Sequence, residues 1–298
     1  MWYLLSILFI VIFWGVAVIV RDMNRFVIVP YEIRSRKIKH KYTFVMLSDL
    51  HNKSYGRDNE KLVRAIMDCQ PDSVMTAGDM YTSKEGTGFD NALALLEALS
   101  KRFPVYVANG NHEHKTSESR KAFGDLYDRY MERLHACGIR TLVNEHVSLP
   151  DYNIDLCGCQ IERKYFQHFR KREMPEGYME NLTGKASRDR FQILLAHNPL
   201  YFEEYAGWGA DLVLSGHVHG GIVRLPFLGG AVSPAFTLFP KYDGGRFERA
   251  GSTMLLGRGL GTHTLPVRMW NPGEIVLVTL LPEERREKHG AVSKAAGV

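Results

Sequence analysis

Cysteine is scarce in this chain: Cys69, Cys137, Cys157 and Cys159 are the only ones in 298 residues. So thin a set excludes the disulfide framework of a small secreted domain. Cys157 and Cys159 stand two apart on an apparent strand and share a face there, which admits a zinc pair but is read as reduced, half-buried thiols. No internal repeat is present at sequence level. The body lacks a long basic stripe and any nucleic-acid motif. The formal charge of +5 is mild, suited to anionic substrates or a lipid surface but no reason to expect a nucleic-acid partner. No protein partner is predicted either.

Charge is absent from Trp2 to Val20, where Ser6 is the only clearly polar residue. That run has the length of a helix crossing a hydrocarbon core. No Lys or Arg precedes it and no small-x-small cleavage site follows, so a membrane anchor is expected rather than a cleaved signal peptide. After it come Arg21, Arg25, Arg34, Arg36, Lys37, Lys39 and Lys41 against Asp22 and Glu32. Positive residues stay on the cytoplasmic side. A single-pass protein with a cytoplasmic catalytic domain follows as the expectation, with the basic collar against anionic headgroups or acting as a plain stop-transfer signal. The expected organisation is an anchor over 1–21, a basic juxtamembrane linker over 22–41, one domain over 42–282 and a flexible tail over 283–298.

Apolar β-branched runs alternate with helical periodicity in the first half of the domain. Strands are predicted at Tyr42 to Leu47, Ser73 to Thr76 and Val105 to Val107, and helices at Asn59 to Cys69, Asn91 to Leu99 and Ser117 to Cys137. This rhythm predicts neighbouring parallel strands with helical crossovers, and functional loops at their carboxyl ends. Beyond Thr141 strand-like runs follow with few helices between them, at Thr141 to Val143, Ile154 to Cys157, Phe191 to Ala196, Leu212 to Ser215, Met254 to Leu256 and Ile275 to Leu280. A second sheet is expected. The fold class is α/β: two packed mixed sheets flanked by helices, a four-layer α-β-β-α sandwich with an N-terminal transmembrane helix.

Short polar motifs sit where those strands end: Asp49-Leu50-His51, Gly78-Asp79, Gly110-Asn111-His112-Glu113, Ala196-His197-Asn198 and Gly216-His217-Val218-His219. Residues two apart at a strand end point the same way, so Asp49 and His51, or His217 and His219, can share one ligand. Gly216, Gly220 and Gly221 allow a tight turn and close backbone approach. Singly each motif has an ordinary reading as turn or loop residues. Together they supply carboxylates, an amide oxygen and imidazoles enough for two metal ions side by side, a pair suited to attack of water on a phosphate ester.

In order and type the five motifs resemble the calcineurin-like metallophosphoesterase superfamily, over about Tyr42 to Leu280. The runs Gly220 to Pro226, Gly257 to Gly261 and Pro266 to Arg268 are similar to its bacterial membrane-anchored branch. The resemblance implies that Asp49, His51, Asp79 and His219 hold one ion and that Asp79, Asn111, His197 and His217 hold the other, with Asp79 bridging. It implies hydrolysis of phosphate mono- or diester or pyrophosphate bonds by a metal-bridging hydroxide, with His112 donating a proton to the leaving oxygen or stabilising charge. Glu113 would orient a neighbouring group. Two divalent cations, Mn, Fe or Zn with Mn favoured, suit this oxygen and nitrogen donor set. Arg258 and His263 are candidates for substrate contact, and Lys53 reads as a solvated surface residue.

Glu162 to Arg172 is a basic-aromatic insertion, read either as a cap over the site, as a membrane contact, or as a solvated linking helix. Anchor, collar and insertion together raise an alternative: a pyrophosphohydrolase of a nucleotide-linked lipid of the UDP-diacylglucosamine type. A non-catalytic scaffold of the same fold is disfavoured, because every ligand position and His112 are present.

Overall fold

The computed structural model describes residues 1–166, 171–225, 229–232, 238–262 and 265–283. His263, the middle of the 162–172 insertion and the tail from residue 284 lie outside the described residues. The chain opens with the helix α1 (Trp2–Met23) and the strand β1 (Phe26–Ser35). An alternating half follows: β2 (Tyr42–Leu47), α2 (Glu60–Asp68), β3 (Ser73–Ala77), α3 (Asp90–Ser100), β4 (Val105–Ala108), α4 (Asn111–Glu118), α5 (Arg120–Phe123), α6 (Leu126–Ala136) and β5 (Arg140–Leu142). The second half runs β6 (His146–Leu149), β7 (Ile154–Cys159), α7 (Tyr178–Thr183), β8 (Phe191–Ala196), α8 (Phe202–Trp208), β9 (Leu212–Ser215), β10 (Val223–Leu225), β11 (Gly229–Val232), β12 (Gly245–Arg249), β13 (Ser252–Leu256) and β14 (Gly273–Pro282).

The first sheet has the order β1-β14-β2-β3-β4-β5 and the second β12-β13-β9-β8-β7-β6, with β10 and β11 a separate two-stranded ribbon. Strands β2 to β5 pair in parallel, as helical crossovers require. Three apolar cores make four layers. Alternate residues of one strand serve different cores: Val45 and Leu47 face α2, α3 and α6, while Phe44 and Met46 face the second sheet. Likewise Ile193 and Leu195 fill the space between the sheets, and Leu194 and Ala196 pack on the α7–α8 side. Mixed α/β architecture with two multi-stranded sheets flanked by helices is the fold read from the sequence.

Several elements differ in detail. The runs at Thr141 and Ile275 belong to the first sheet as β5 and β14, not to the second. β14 enters beside β2 in antiparallel sense and gives its other edge to β1 in parallel. β1 itself lies inside the stretch expected to be a linker, where alternating Val27, Val29 and Tyr31 with Ile28, Pro30 and Glu32 is a half-buried pattern. The long helix expected from Ser117 is broken, because the chain turns at Gly124 with φ 57°. α6 buries Leu126, Tyr130 and Leu134 at four-residue spacing and stops at Gly138, whose φ of 71° ends the helix in the left-handed region.

α1 is long and apolar enough to cross a membrane. Only Val18 and Asp22 of it are buried. Its base is bound to the domain through Asp22, which accepts from Asn271 N at 3.0 Å and pairs with Arg21 and Arg25. Lys53 is not a solvated residue. Its ammonium donates to Met23 O at the helix's carboxyl end, the end that favours a cation.

Candidate metal centre

The carboxyl ends of β2, β3, β4, β8 and β9 deliver the five motifs to one place. Three groups of ligand atoms there are each mutually within 4.8 Å: Asp49, His51 and His219; His51, Asp79 and His112; Asp79, His197 and His217. Asp79 belongs to two of them. His197 Nε2 stands 3.1 Å from Asp79 Oδ2, His219 Nε2 3.5 Å from Asp49 Oδ1 and His51 Nε2 3.0 Å from His219 Nε2. Asn111 heads α4 with its Oδ1 buried and, among the described residues, without a hydrogen-bond partner. A buried amide oxygen left so is expensive unless it has something to coordinate.

The backbone is bent to make this cluster. Asp49 (φ 50°), His51 (50°), Asp79 (55°), His217 (76°) and His219 (53°) all adopt the left-handed region that side chains avoid. Strain of this kind collects where geometry serves function. Two glycines give the carboxylates room. A Cβ on Gly110 would lie 2.2 Å from Asp79 Oδ1, and one on Gly216 would lie 2.4 Å from Asp49 Oδ2.

Each ligand candidate is aimed by a partner. Asp79 Oδ1 accepts from His112 N at 2.9 Å, which turns Oδ2 toward His197. Asp49 Oδ1 accepts from His217 N at 2.9 Å. His197 Nδ1 donates to Ala77 O at 2.6 Å, fixing the tautomer that leaves Nε2 as the ligand nitrogen. The buried Glu113 carboxylate accepts from Asp79 N, Met80 N and Gly110 N at 2.9, 2.7 and 2.9 Å. It therefore holds two motif loops at once, which gives the orienting role expected for it a definite object.

The second sheet's loop is held differently. Asn271 Nδ2 donates to His219 O and Gly221 O at 2.7 and 2.6 Å. Arg268, fully buried, donates to the carbonyls of Gly261, Asn271 and Arg258. Neither residue was among the sequence candidates: an Asn and an Arg in a loop carry no motif, and the run Pro266 to Arg268 pointed only to kinship.

Charges in the cluster are coupled. Burial would lower His197, but the Asp79 and Asp49 carboxylates outweigh it and raise it to about 10. Burial pushes Asp49 up, partly opposed by His197. For Asp79 burial acts in the same direction, yet His197, His112 and His51 prevail and hold it well below the usual range. Dense imidazole and carboxylate in mutual contact is the setting in which a divalent cation displaces protons.

Arg258 does not join the ligand groups; its Nε is paired with the buried Glu274. Cys157 and Cys159 are free thiols, and among the described residues the metal-competent groups include no cysteine. Phe166, in the described part of the 162–172 insertion, sets its ring 5.4 Å from that of His217 and 6.3 Å from that of His197.

A strand-end cluster of Asp, Asn and His on two packed sheets defines a metal-dependent phosphoric ester hydrolase. Residues 42–221 match the family model of the calcineurin-like phosphoesterases, and the chain belongs to that family. It is similar to the Bacillus subtilis metallophosphoesterase YkuE, 27% identical over 258 residues that cover 84% of each chain. It is also similar to a metallophosphoesterase of Aquifex aeolicus, 26% identical over 78% of this chain and 82% of that one. A Helicobacter pylori metallophosphoesterase is 26% identical over 84% of this chain, which spans only 62% of that relative's length. Among solved structures, the Thermus thermophilus protein TT1561 aligns over 73% of this chain and 89% of its own, with TM-score 0.46 and 12% identity.

Proposed function

We propose that this chain is a membrane-anchored dimetal phosphoesterase acting on mono- or diester or pyrophosphate bonds, with its catalytic domain on the cytoplasmic side. The observation that carries the dimetal reading is Asp79, whose carboxylate lies within ligand distance of groups on both sides. The donor set fits divalent cations of the Mn, Fe or Zn kind, Mn favoured. Asp49, His51, Asp79 and His219 would hold one ion, and Asp79, Asn111, His197 and His217 the other. When bound, the ions supply Lewis acidity toward water and the phosphoryl oxygens.

The chain's own residues do the rest. Asp79 is kept from rotating by His112 N–H, and His197 by Ala77 O. His112 Nδ1 accepts from Ser83 N at 2.8 Å, so the neutral ring carries its proton on Nε2. Nε2 is the atom nearer the cluster, 3.8 Å from Asp79 Oδ2. A ring held this way donates a hydrogen bond to the departing oxygen and stabilises its charge. Ser83 thus positions His112, a role its sequence did not disclose.

The test is hydrolysis of a generic phosphodiester and a generic phosphomonoester by detergent-purified protein, with Mn²⁺ and with EDTA. Turnover that EDTA removes, Mn²⁺ restores and Asp79→Asn abolishes supports the reading. Turnover unaffected by EDTA or by Asp79→Asn sinks it. A second reading, the nucleotide-linked lipid pyrophosphohydrolase, is favoured by the aromatic Phe166 against His217 in a chain that also carries a membrane-length helix. Pyrophosphate cleavage of a UDP-linked lipid at rates above those on both generic esters distinguishes it.

A further inference from the structure

Helix α1 contacts the domain deeper than its base. Trp270 packs its ring 5.7 Å from Trp14, and a Cβ on Gly15 would lie 4.0 Å from Met269 Cε. Trp14 precedes Arg21, the first charged residue, by seven positions. At about 1.5 Å per residue that places it roughly 10 Å along the helix from the charged edge. A hydrocarbon core is about 30 Å thick. If α1 spans the bilayer, the loop that touches Trp14 is drawn below the headgroups as well.

The loop has the surface for it. Leu265 to Trp270 reads Leu-Pro-Val-Arg-Met-Trp. Its one charge, Arg268, is turned inward onto backbone carbonyls and is 1% exposed, while Leu265 is 44% exposed. Trp is enriched at the membrane–water boundary. Backbone groups at such depth need partners, and Met269 has them: its N donates to Ile222 O and its O accepts from Arg224 N. Val223 of β10 bridges to Met269 and pairs with Val232 of β11, and Phe239 N bonds Ala231 O. Beside that ribbon stand Leu238 and Phe239, 69% and 60% exposed. Beyond Met1 and α1, Leu238, Phe239 and Leu265 are the most exposed large apolar side chains among the described residues. A single exposed leucine is ordinary; these three stand on two segments that the β10–β11 ribbon links to each other through its backbone bonds.

We infer that the loop Leu265–Trp270, with Leu238 and Phe239 of the adjoining ribbon, is a second membrane contact that seats in the headgroup–acyl boundary beside α1. The inference rests on α1 being the membrane anchor proposed above. Its occupant is the lipid bilayer, and its consequence is orientation: one helix leaves a domain free to swivel, while a helix and a loop fix which face meets the bilayer. Asn271, next to this loop, holds the His219 backbone, so the face so fixed is the one carrying the second sheet's ligands.

The full chain is reconstituted in phosphatidylcholine–phosphatidylglycerol vesicles containing a trace of phosphatidylcholine with a diazirine in its acyl chain, irradiated, digested and mapped by mass spectrometry. Label on α1, on 265–270 and on 238–239, with none on α2, is the expected result. Label on α1 alone overturns the second contact and leaves the anchor standing. Absence of label from α1 as well overturns the anchor, and the inference with it. Variants with a single tryptophan give an independent measure with shallow-brominated lipid: Trp270 is quenched and Trp208, at the end of α8, is not. Equal, unquenched emission from both overturns the contact.

Discussion

The two halves of the metal centre are braced by different parts of the chain. On the first sheet the brace is local: Glu113, two residues after Asn111, ties the Asp79 loop to the Gly110 loop. On the second sheet it is remote: Asn271 holds the His219 loop and is itself held by Asp22 at the base of α1. A helix long and apolar enough to cross a membrane is thus hydrogen-bonded, through one asparagine, to the backbone of a ligand candidate. Half of the centre carries its own support and half borrows it from the base of the N-terminal helix.

The sharpest way to break that contrast is at the residue both halves share. Asp79→Asn removes bound metal and measurable turnover together, read by elemental analysis and phosphate release. His112 belongs to neither of the two proposed ion sets, so His112→Ala should leave metal content unchanged while lowering kcat by about 10²–10⁴-fold, the usual contribution of a positioned proton donor. Removing either brace should weaken Mn²⁺ affinity by about 10–100-fold, but only Asn271→Ala should be coupled to Asp22→Ala. In a double-mutant cycle on metal affinity that pair falls short of additivity by roughly 0.5–3 kcal/mol, whereas Glu113→Gln and Asp22→Ala simply add. Equal coupling of Asp22 to both braces would erase the distinction drawn here.

Two smaller effects concern the sheets themselves. A Cβ on Gly158 would meet Leu142 O at 2.2 Å, where β7 of the second sheet passes β5 of the first. Gly158→Ala should lower unfolding stability by about 1–3 kcal/mol, as overpacking does, with turnover per folded molecule unchanged. Smallest is a difference in thiol reactivity. Burial pushes Cys157 up to about 12 and Cys159 well above the ordinary thiol range. In native protein at mildly alkaline pH, iodoacetamide should modify Cys69 and Cys137 and spare the buried pair until denaturant is added, as peptide mass mapping will report.

What the sequence made legible follows its local rules. Strand-end motifs can be read because each ligand candidate sits just past an apolar run, and period-two burial sorts Phe44 from Val45 without reference to any other segment. Long-range pairings escape such reading. Nothing in Phe26–Ser35 names β14 as its neighbour, and the basic residues within and around it suggested a basic juxtamembrane linker; Lys37 is in fact paired with Asp211. The bond between Asp22 and Asn271 joins positions 249 apart. Ser83 and Asn271 act through a few hydrogen bonds, from loops with no periodicity to betray them. His263 lies outside the described residues, and Arg258, proposed from the sequence as a phosphate contact, spends its charge on Glu274.

The parallel pairing of β1 with β14 has a consequence in time. β1 follows directly on α1, yet the strand that completes it begins only at Gly273. At roughly 5–20 residues per second a ribosome takes about 10–50 s to make the intervening chain. For that interval a newly made strand waits with both edges open, the state in which strands recruit one another between molecules. Pro30 interrupts its donors at the midpoint, and Glu32 and Arg34 charge its outer half. The residues that make β1 a poor strand on its own are the ones that let it stay single until its partner is synthesised.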